Sequence, residues 1–198
     1  MKNSNEKSSN EIVSRKVSSR LLEKIISLIS FCSFSMGMIA QNPAVNNIQG
    51  LDSKLISMRQ SAEASIQKEA ENLSSLVNDL KPTLYYRNYQ VIQSDDGIPV
   101  RINADAESLQ LLAGSNPLFS QVQLLCIKIE KPEDIQSVLD LSDMTGFLNL
   151  KYIYFLCTYQ LCADQPGDSL CEKQKIAAML QGNETAGLNI LYAVNIDN

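Results

Sequence analysis

The sequence predicts a mixed α/β fold: a long N-terminal helix, a β-hairpin, then a βαβαβ run with a partly parallel sheet. Three observations carry that prediction. Apolar residues recur at steps of three and four from Ile48 to Leu80, the period of one helical face. Three short runs, Gln121–Ile129, Leu150–Tyr159 and Leu188–Ile196, are strongly apolar, the first on both faces around Leu125, as strands buried on both faces are. Between them lie segments with helix-start and helix-stop signals, so consecutive strands are joined by crossovers and run parallel.

The 198 residues suffice for one domain and an added arm. Charge is unevenly spread. Residues 1–40 hold six Lys/Arg and three Asp/Glu of the totals of 17 and 22, leaving 17 − 6 = 11 against 22 − 3 = 19, or net −8, for the rest. A body this acidic argues against nucleic acid, which is held by clustered Lys and Arg. The chain has no histidine. That removes Ser-His-Asp and Cys-His nucleophile activation and the common catalytic zinc sites.

Residues 1–40 read as a secretory signal: basic residues up to Lys24, the apolar run Ile25–Ala40, then a small residue at which cleavage would leave Gln41 first. The run has 16 residues and four serines, short of the roughly 20 apolar residues of a spanning helix. Met38 is not the small residue preferred near such a cleavage point, so an uncleaved signal-anchor stays open, and only that form would hold the chain to a membrane. The expected location is outside the cytoplasm: periplasm, cell surface or secreted.

Residues 41–81 form the predicted amphipathic arm. The stripe Ile48, Leu51, Leu55, Met58, Ala62, Ile66, Ala70, Leu73, Val77, Leu80 ends at Lys81-Pro82, because the residue before proline avoids the helical region. Such a helix would reach roughly 45 Å. It would either oligomerise or dock another envelope protein through residues 48–80, or lie across the sheet of its own domain. The lack of sustained heptads favours the last.

Residues 82–198 form the single α/β domain. Thr83–Gln93 and Ile98–Asn103 read as a hairpin turning at Ser94–Gly97, with Pro99 placing the second strand near a sheet edge. Ala104–Ala113 is a short helix capped by Asn103 or Asp105 and stopped by Gly114. Pro132–Leu148 is the first crossover helix, with Pro132 at its first position and Glu133 and Asp134 at its positive end. Ser169 to about Gln181 is the second, opened by a capping box of Ser169 and Glu172.

Phe119, Val122, Leu124 and Cys126 align with Leu150, Ile153, Phe155 and Cys157 at a shift of 31, and Leu188, Leu191 and Ala193 repeat the spacing 38 further on. Leu-x-x-Ile-x-Phe at 150–155, preceded by Phe147-Leu148-Asn149, resembles the strand of a leucine-rich repeat over about a third of the chain. The periods exceed the roughly 20–29 residues of that family, and Ile127 and Thr158 stand where its asparagine is expected. The resemblance implies a protein- or ligand-binding surface without catalysis. In general style the sequence also resembles uncharacterised exported envelope proteins of Gram-negative bacteria.

Without Cys32 in the signal, four cysteines remain. In an exported chain they suggest two disulfides. Cys162 and Cys171 bracket a turn-rich loop and are the first candidate pair. Cys126 and Cys157 sit at matching repeat positions and are either a second pair or two buried free thiols; Cys157 with Cys162 is a further pairing. Their spacing suits neither a thiol-exchange motif nor a four-sulfur zinc site, and no phosphate-cradling glycine motif occurs. No metal, cofactor or catalytic residue is therefore assigned. Tyr85, Tyr86, Tyr89 and Tyr159 are the candidate binding surface, weighed against ordinary strand packing. The expected role is binding or scaffolding. The alternative is a histidine-free hydrolase using carboxylates at the carboxyl ends of the parallel strands, where open α/β sheets place their sites.

Overall fold

A computed structural model describes residues 45, 47–93, 97–182 and 187–196. The predicted signal segment and the predicted turn at 94–96 lie outside the described residues. One compact unit spans Asn42–Asn198, so residues of the expected arm belong to the same body as the sheet. No helix among the described residues is long and apolar enough to cross a membrane.

The chain is mixed α/β with a mostly parallel sheet of seven strands. In chain order these are β1 (Ile48–Gly50), β2 (Thr83–Arg87), β3 (Gln90–Gln93), β4 (Arg101–Asp105), β5 (Leu124–Ile129), β7 (Tyr152–Cys157) and β9 (Asn189–Val194). A two-residue pair, β6 (Leu139–Asp140) with β8 (Leu180–Gln181), stands apart. The sheet order is β1-β9-β7-β5-β4-β2-β3, parallel throughout except for the antiparallel β2–β3 edge. From β2 to β9 each parallel strand lies beside the one before it, and β1 closes the far edge.

The expected single helix is two helices preceded by a strand: α1 (Leu51–Arg59) and α2 (Ala64–Asn78). The break has a local cause. Ser61 Oγ accepts from the Glu63 N–H at 3.2 Å, and Gln67 Nε2 donates to the Ser61 carbonyl at 2.8 Å, so side chains satisfy groups a continuous helix would use. The stripe is real, but it folds back on itself. Leu51, Leu55, Met58, Ala70 and Leu73 of the stripe, joined by Leu76, pack on Leu124, Tyr152, Tyr154 and Leu191 of one sheet face, while Ala62 and Leu80 stay exposed and Ile48, in β1, is buried in the core of the other face. Burying each such Leu is worth about 1.5–3 kcal/mol.

The hairpin also turns elsewhere. Asn88 and Tyr89, at φ 50 and 59, form a two-residue turn of the kind that matches strand twist. The Asn88 N–H donates to Asp105 Oδ2 at 2.8 Å and the Tyr89 N–H to Ser108 Oγ at 3.2 Å, which anchors this unusual backbone to the corner after β4. β4 itself lies between β2 and β5; Pro99 precedes it and marks no edge.

On the other face the crossovers are mainly 3-10 turns. Residues Ala106–Leu112 follow β4, capped by Asp105, which accepts from the Ser108 N–H at 2.8 Å. The expected helix Pro132–Leu148 is instead Pro132–Gln136, β6 and Leu141–Asp143. Asp134 caps its start, with Oδ2 accepting from the Glu130 N–H at 2.8 Å, and Asp140 interrupts it, with Oδ1 accepting from the Ser142 N–H at 2.9 Å. The last crossover is a true helix, α3 (Ser169–Ala178). Its cap is Asp168, which accepts from the Leu170 N–H at 2.9 Å, not the expected Ser169 box.

The registers set the faces. Leu84, Ile102, Leu125, Ile153 and Ile190 form one row across the crossover face, and Tyr86, Ala104, Ile127, Phe155 and Tyr192 the next. All are buried in the main core. Leu124 pairs with Tyr152, a shift of 28, and Tyr152 with Asn189, a shift of 37. The expected shifts of 31 and 38 are off by odd numbers, and an odd slip exchanges the faces of a strand.

Candidate functional site

The helix-bearing face has three rows. Thr83, Arg101, Leu124, Tyr152 and Asn189 form the first; Tyr85, Asn103, Cys126, Tyr154 and Leu191 the second; Asp105, Lys128, Leu156 and Ala193 the third, with Arg87 beyond its β2 end. The helix pair covers the first row and part of the second. Two polar clamps hold it there. Tyr152 Oη donates to Glu69 Oε1 at 2.7 Å. Arg101 donates from Nε to Thr83 Oγ1 at 3.1 Å and from Nη1 to the carbonyls of Leu76, Val77 and Asp79 at 3.1, 3.3 and 3.4 Å. A guanidinium on the last carbonyls of α2 satisfies groups the helix cannot and complements the negative end of its dipole.

Beyond the end of α2 the face lies open as two adjoining grooves. One, of about 280 Å³, is bounded by Tyr85, Arg87, Asn103, Asp105, Cys126 and Lys128. The other, of about 360 Å³, shares Asn103, Cys126 and Leu156 with it and runs under Val77–Leu80. The first sits at the carboxyl ends of β4 and β5, where ligands of open α/β sheets bind, and the second reaches back to Arg101 and Leu124 at their amino ends. The floor is half apolar, and its charges alternate in sign.

The carboxylates here are already engaged. Asp105 accepts from the backbone of Asn88 and Ser108, and Glu130 pairs with Lys128. On the rim Lys131 pairs with Glu107 at 2.6 Å, and Asp134 is buried among backbone donors. Each acid therefore has a structural task. Cys126 faces the groove as a free thiol, and burial pushes it up to about 11, against the opposing pull of Arg101 and Lys128. A thiol in that state is a weak nucleophile. Among the described residues no group of three or more Cys, Asp or Glu is placed to hold a metal.

The four candidate tyrosines do not form one platform. Tyr85 lines the groove. Tyr86, on the opposite face, is only 2% exposed and meets Phe119 edge-on at 6.1 Å. Tyr89 projects from the turn at 56% exposure. Tyr159 lies past the end of β7, and burial, with the charges of Asp134 and Glu133 among lesser causes, pushes its hydroxyl up to about 12. That hydroxyl and Gln160 Nε2 are enclosed without a hydrogen-bond partner among the described residues.

Cys162 and Cys171 are disulfide-bonded, with Cα atoms 6.3 Å apart. Cys126 and Cys157 are free. They cannot staple neighbouring strands, because Cys126 pairs with Tyr154 and Cys157 with Ile129, on opposite faces. Sequence reasoning missed Arg101, Asn103 and Lys128. For Arg101 and Asn103 the signal was present as polar residues at every second position of β4, the pattern of a half-solvated face, whereas Lys128 is the one charged residue of an apolar strand. The chain matches no protein-family model, no curated protein and no solved structure.

Proposed function

We propose that the chain is an exported envelope protein that binds a partner on the open rows of its sheet and performs no catalysis there. The observation that supports this most is the open groove whose carboxylates are committed to backbone donors and to Lys128. Acid–base chemistry needs a carboxylate within reach of substrate and able to exchange its proton. A recognition surface needs mixed polar and apolar groups on a rigid floor, which Tyr85, Asn103, Lys128 and Leu156 supply.

A leucine-rich-repeat-like reading accompanies it. Its support is the strand order, in which successive parallel strands are neighbours, with short 3-10 turns packed on one face only. The shifts of 23 from β4 to β5 and 28 from β5 to β7 lie in the roughly 20–29 range of that family, and those of 18 from β2 to β4 and 37 from β7 to β9 lie outside it. Export is supported by the Cys162–Cys171 bond, since such bonds persist in oxidising compartments. The hydrolase reading is supported only by the position of Asp105 and Glu130 at the carboxyl ends of the strands.

Cross-linking in a Gram-negative host, followed by cell fractionation, tests the proposal. The chain is expected in the envelope fraction with two thiols that alkylate once it is denatured without reduction, excluding any on an uncleaved signal. Its cross-links to envelope proteins should disappear in Arg87→Glu/Lys128→Glu. Cross-links that survive the double variant, or a fully reduced cytoplasmic chain, would sink it.

A further inference from the structure

We infer that the groove takes an apolar carboxylate, held by its carboxyl group between Arg87 and Lys128 and by its apolar part on Cys126 and Leu156. This rests on the open rows being the binding surface and names the chemistry they bind. The register of the sheet places the groups. Tyr86 of β2 pairs with Ala104 of β4, so Arg87 comes next, beside Asp105. Asp105 pairs with Lys128 of β5, and Lys128 with Leu156 of β7. The third row therefore runs cation, acid, cation, apolar residue across four neighbouring strands. At a strand spacing of about 4.8 Å, the Cα atoms of the two cations stand about 10 Å apart. Two long basic side chains can close on one carboxylate from that separation.

The groups left free in this groove are mainly donors. Among the described residues Arg87 has no ion pair and no hydrogen bond, and the Asn103 amide and Tyr85 hydroxyl beside it are unengaged. Asp105 has no such freedom. Its Oδ1 accepts from the Ser108 N–H and its Oδ2 from the Asn88 N–H, both at 2.8 Å. Those donors draw the carboxylate toward the turn and offset its charge. Lys128 is held by Glu130 in a pair whose side chains are 35% and 53% exposed. An exposed pair of this kind contributes little, so Lys128 is able to turn to a second carboxylate. The guanidinium of Arg87 presents a planar fork of donors that matches a carboxylate in shape.

The floor beside these cations adds the apolar half. Cys126 and Leu156 belong to both grooves, and the second groove continues past them to Tyr154. An apolar group attached to the carboxylate therefore meets a continuous surface from the third row to the second. The floor is also electropositive: burial raises the Cys126 thiol, and the charges that act on it, Arg101 and Lys128, are both cations. Beyond residue 40 the chain carries net −8 and repels anions over most of its surface, so two converging basic side chains single this place out. Charge count fixes the valence. Against Arg87 and Lys128 stands Asp105, which leaves the third row one positive charge in excess. That matches one carboxylate and leaves a dianion such as phosphate undercompensated. The carboxyl group can belong to a free organic acid or to the last residue of a peptide.

The test follows the purified full chain by NMR as three probes are added: acetyl-Gly-Leu as the free acid, the same peptide as its amide, and hexanoate. The free acid should shift the Asn103 side-chain amide and the Arg87 Nε–H. It should bind about tenfold or more tightly than the amide, which lacks the charged partner for Arg87. Arg87→Gln, at an exposed position, should weaken binding of the acid about tenfold and leave the amide unchanged, and Arg87→Lys should restore part of the loss. Tighter binding of the peptide acid than of hexanoate supports the inference with a chain end as the source, and the reverse order supports it with a free acid. Equal affinity for acid and amide would overturn it and leave the groove a binding surface for other chemistry. Equal competition by inorganic phosphate would overturn it in the same way. So would an absence of shifts at Asn103 with every probe while the envelope cross-links still depend on Arg87 and Lys128. Cross-links independent of those two residues would remove the underlying reading and this inference together.

Discussion

The two faces of the sheet are made from alternate residues of the same strands, yet different parts of the chain complete them. On the crossover face, Ile127, Phe155 and Tyr192 are covered by the segments that join the strands, so every strand brings its own cover. On the other face, the cover is one helix pair that precedes most of the sheet in the chain and is tied to it by β1, Tyr152 and Arg101. That pair covers only the rows nearest the amino ends of the strands. What it leaves open is the row carrying Asp105, Lys128 and Leu156. A cover built into the connections is obligatory and continuous; a cover that docks from elsewhere can stop short, and the open part is where binding becomes available.

The sharpest way to break this contrast is to damage the obligatory side. Phe155→Ala, at a fully buried position, should cost about 3–5 kcal/mol in urea unfolding. A cost near 1 kcal/mol would mean the crossover face is not the principal core. The docked cover should be weaker. Arg101→Ala removes hydrogen bonds from a charged donor to three helix-end carbonyls and should cost about 1.5–3 kcal/mol. Limited proteolysis within 51–78 should quicken at the same time, whereas a uniform loss of stability across the chain would argue that the helices are not a separate cover.

The two free thiols report the same division through pH. Burial lifts Cys126 from 9.0 to about 11 and Cys157 from 9.0 to about 12. Folded thiols then hold protons that unfolded thiols release near pH 9, so their contribution is whole below pH 9 and is lost as pH rises through 11 and 12. Urea midpoints should fall over that window. At pH 8 Cys126 in the folded chain should alkylate about 100-fold more slowly than an unfolded thiol, since reaction follows the thiolate. An ordinary rate would place it outside the groove floor. The smallest effect belongs to Tyr152→Phe, which removes one hydroxyl from Glu69 and should lower stability by about 0.5–1.5 kcal/mol.

Much of the crossover side was legible. The runs around Leu125, Phe155 and Leu191 are short and apolar on both faces, and only buried parallel strands explain three of them in succession. Cys162 and Cys171 were readable because their partnership is local. The helix break at Ser61, the hairpin turn at Asn88-Tyr89 and the 3-10 turns after Pro132 were not. In each, a side chain takes a backbone group that the periodic pattern assigned to secondary structure, and periodicity carries no record of that competition. The tyrosine platform failed because Tyr85 and Tyr86 are adjacent, and adjacent residues in a strand point to opposite faces.

The sequence by itself determined the fold class, the direction of the main strands and the acidic, histidine-free chemistry, because these rest on composition and on patterns within a few residues. Only the tertiary structure decided the register, and with it the faces of Cys126 and Cys157, the clamp of Arg101 on α2 and the extent of the open groove. Register depends on how far each crossover travels before it rejoins the sheet. That length is set by caps and turns acting together, and a slip of one residue, invisible in the apolar pattern, exchanges the two faces of a strand.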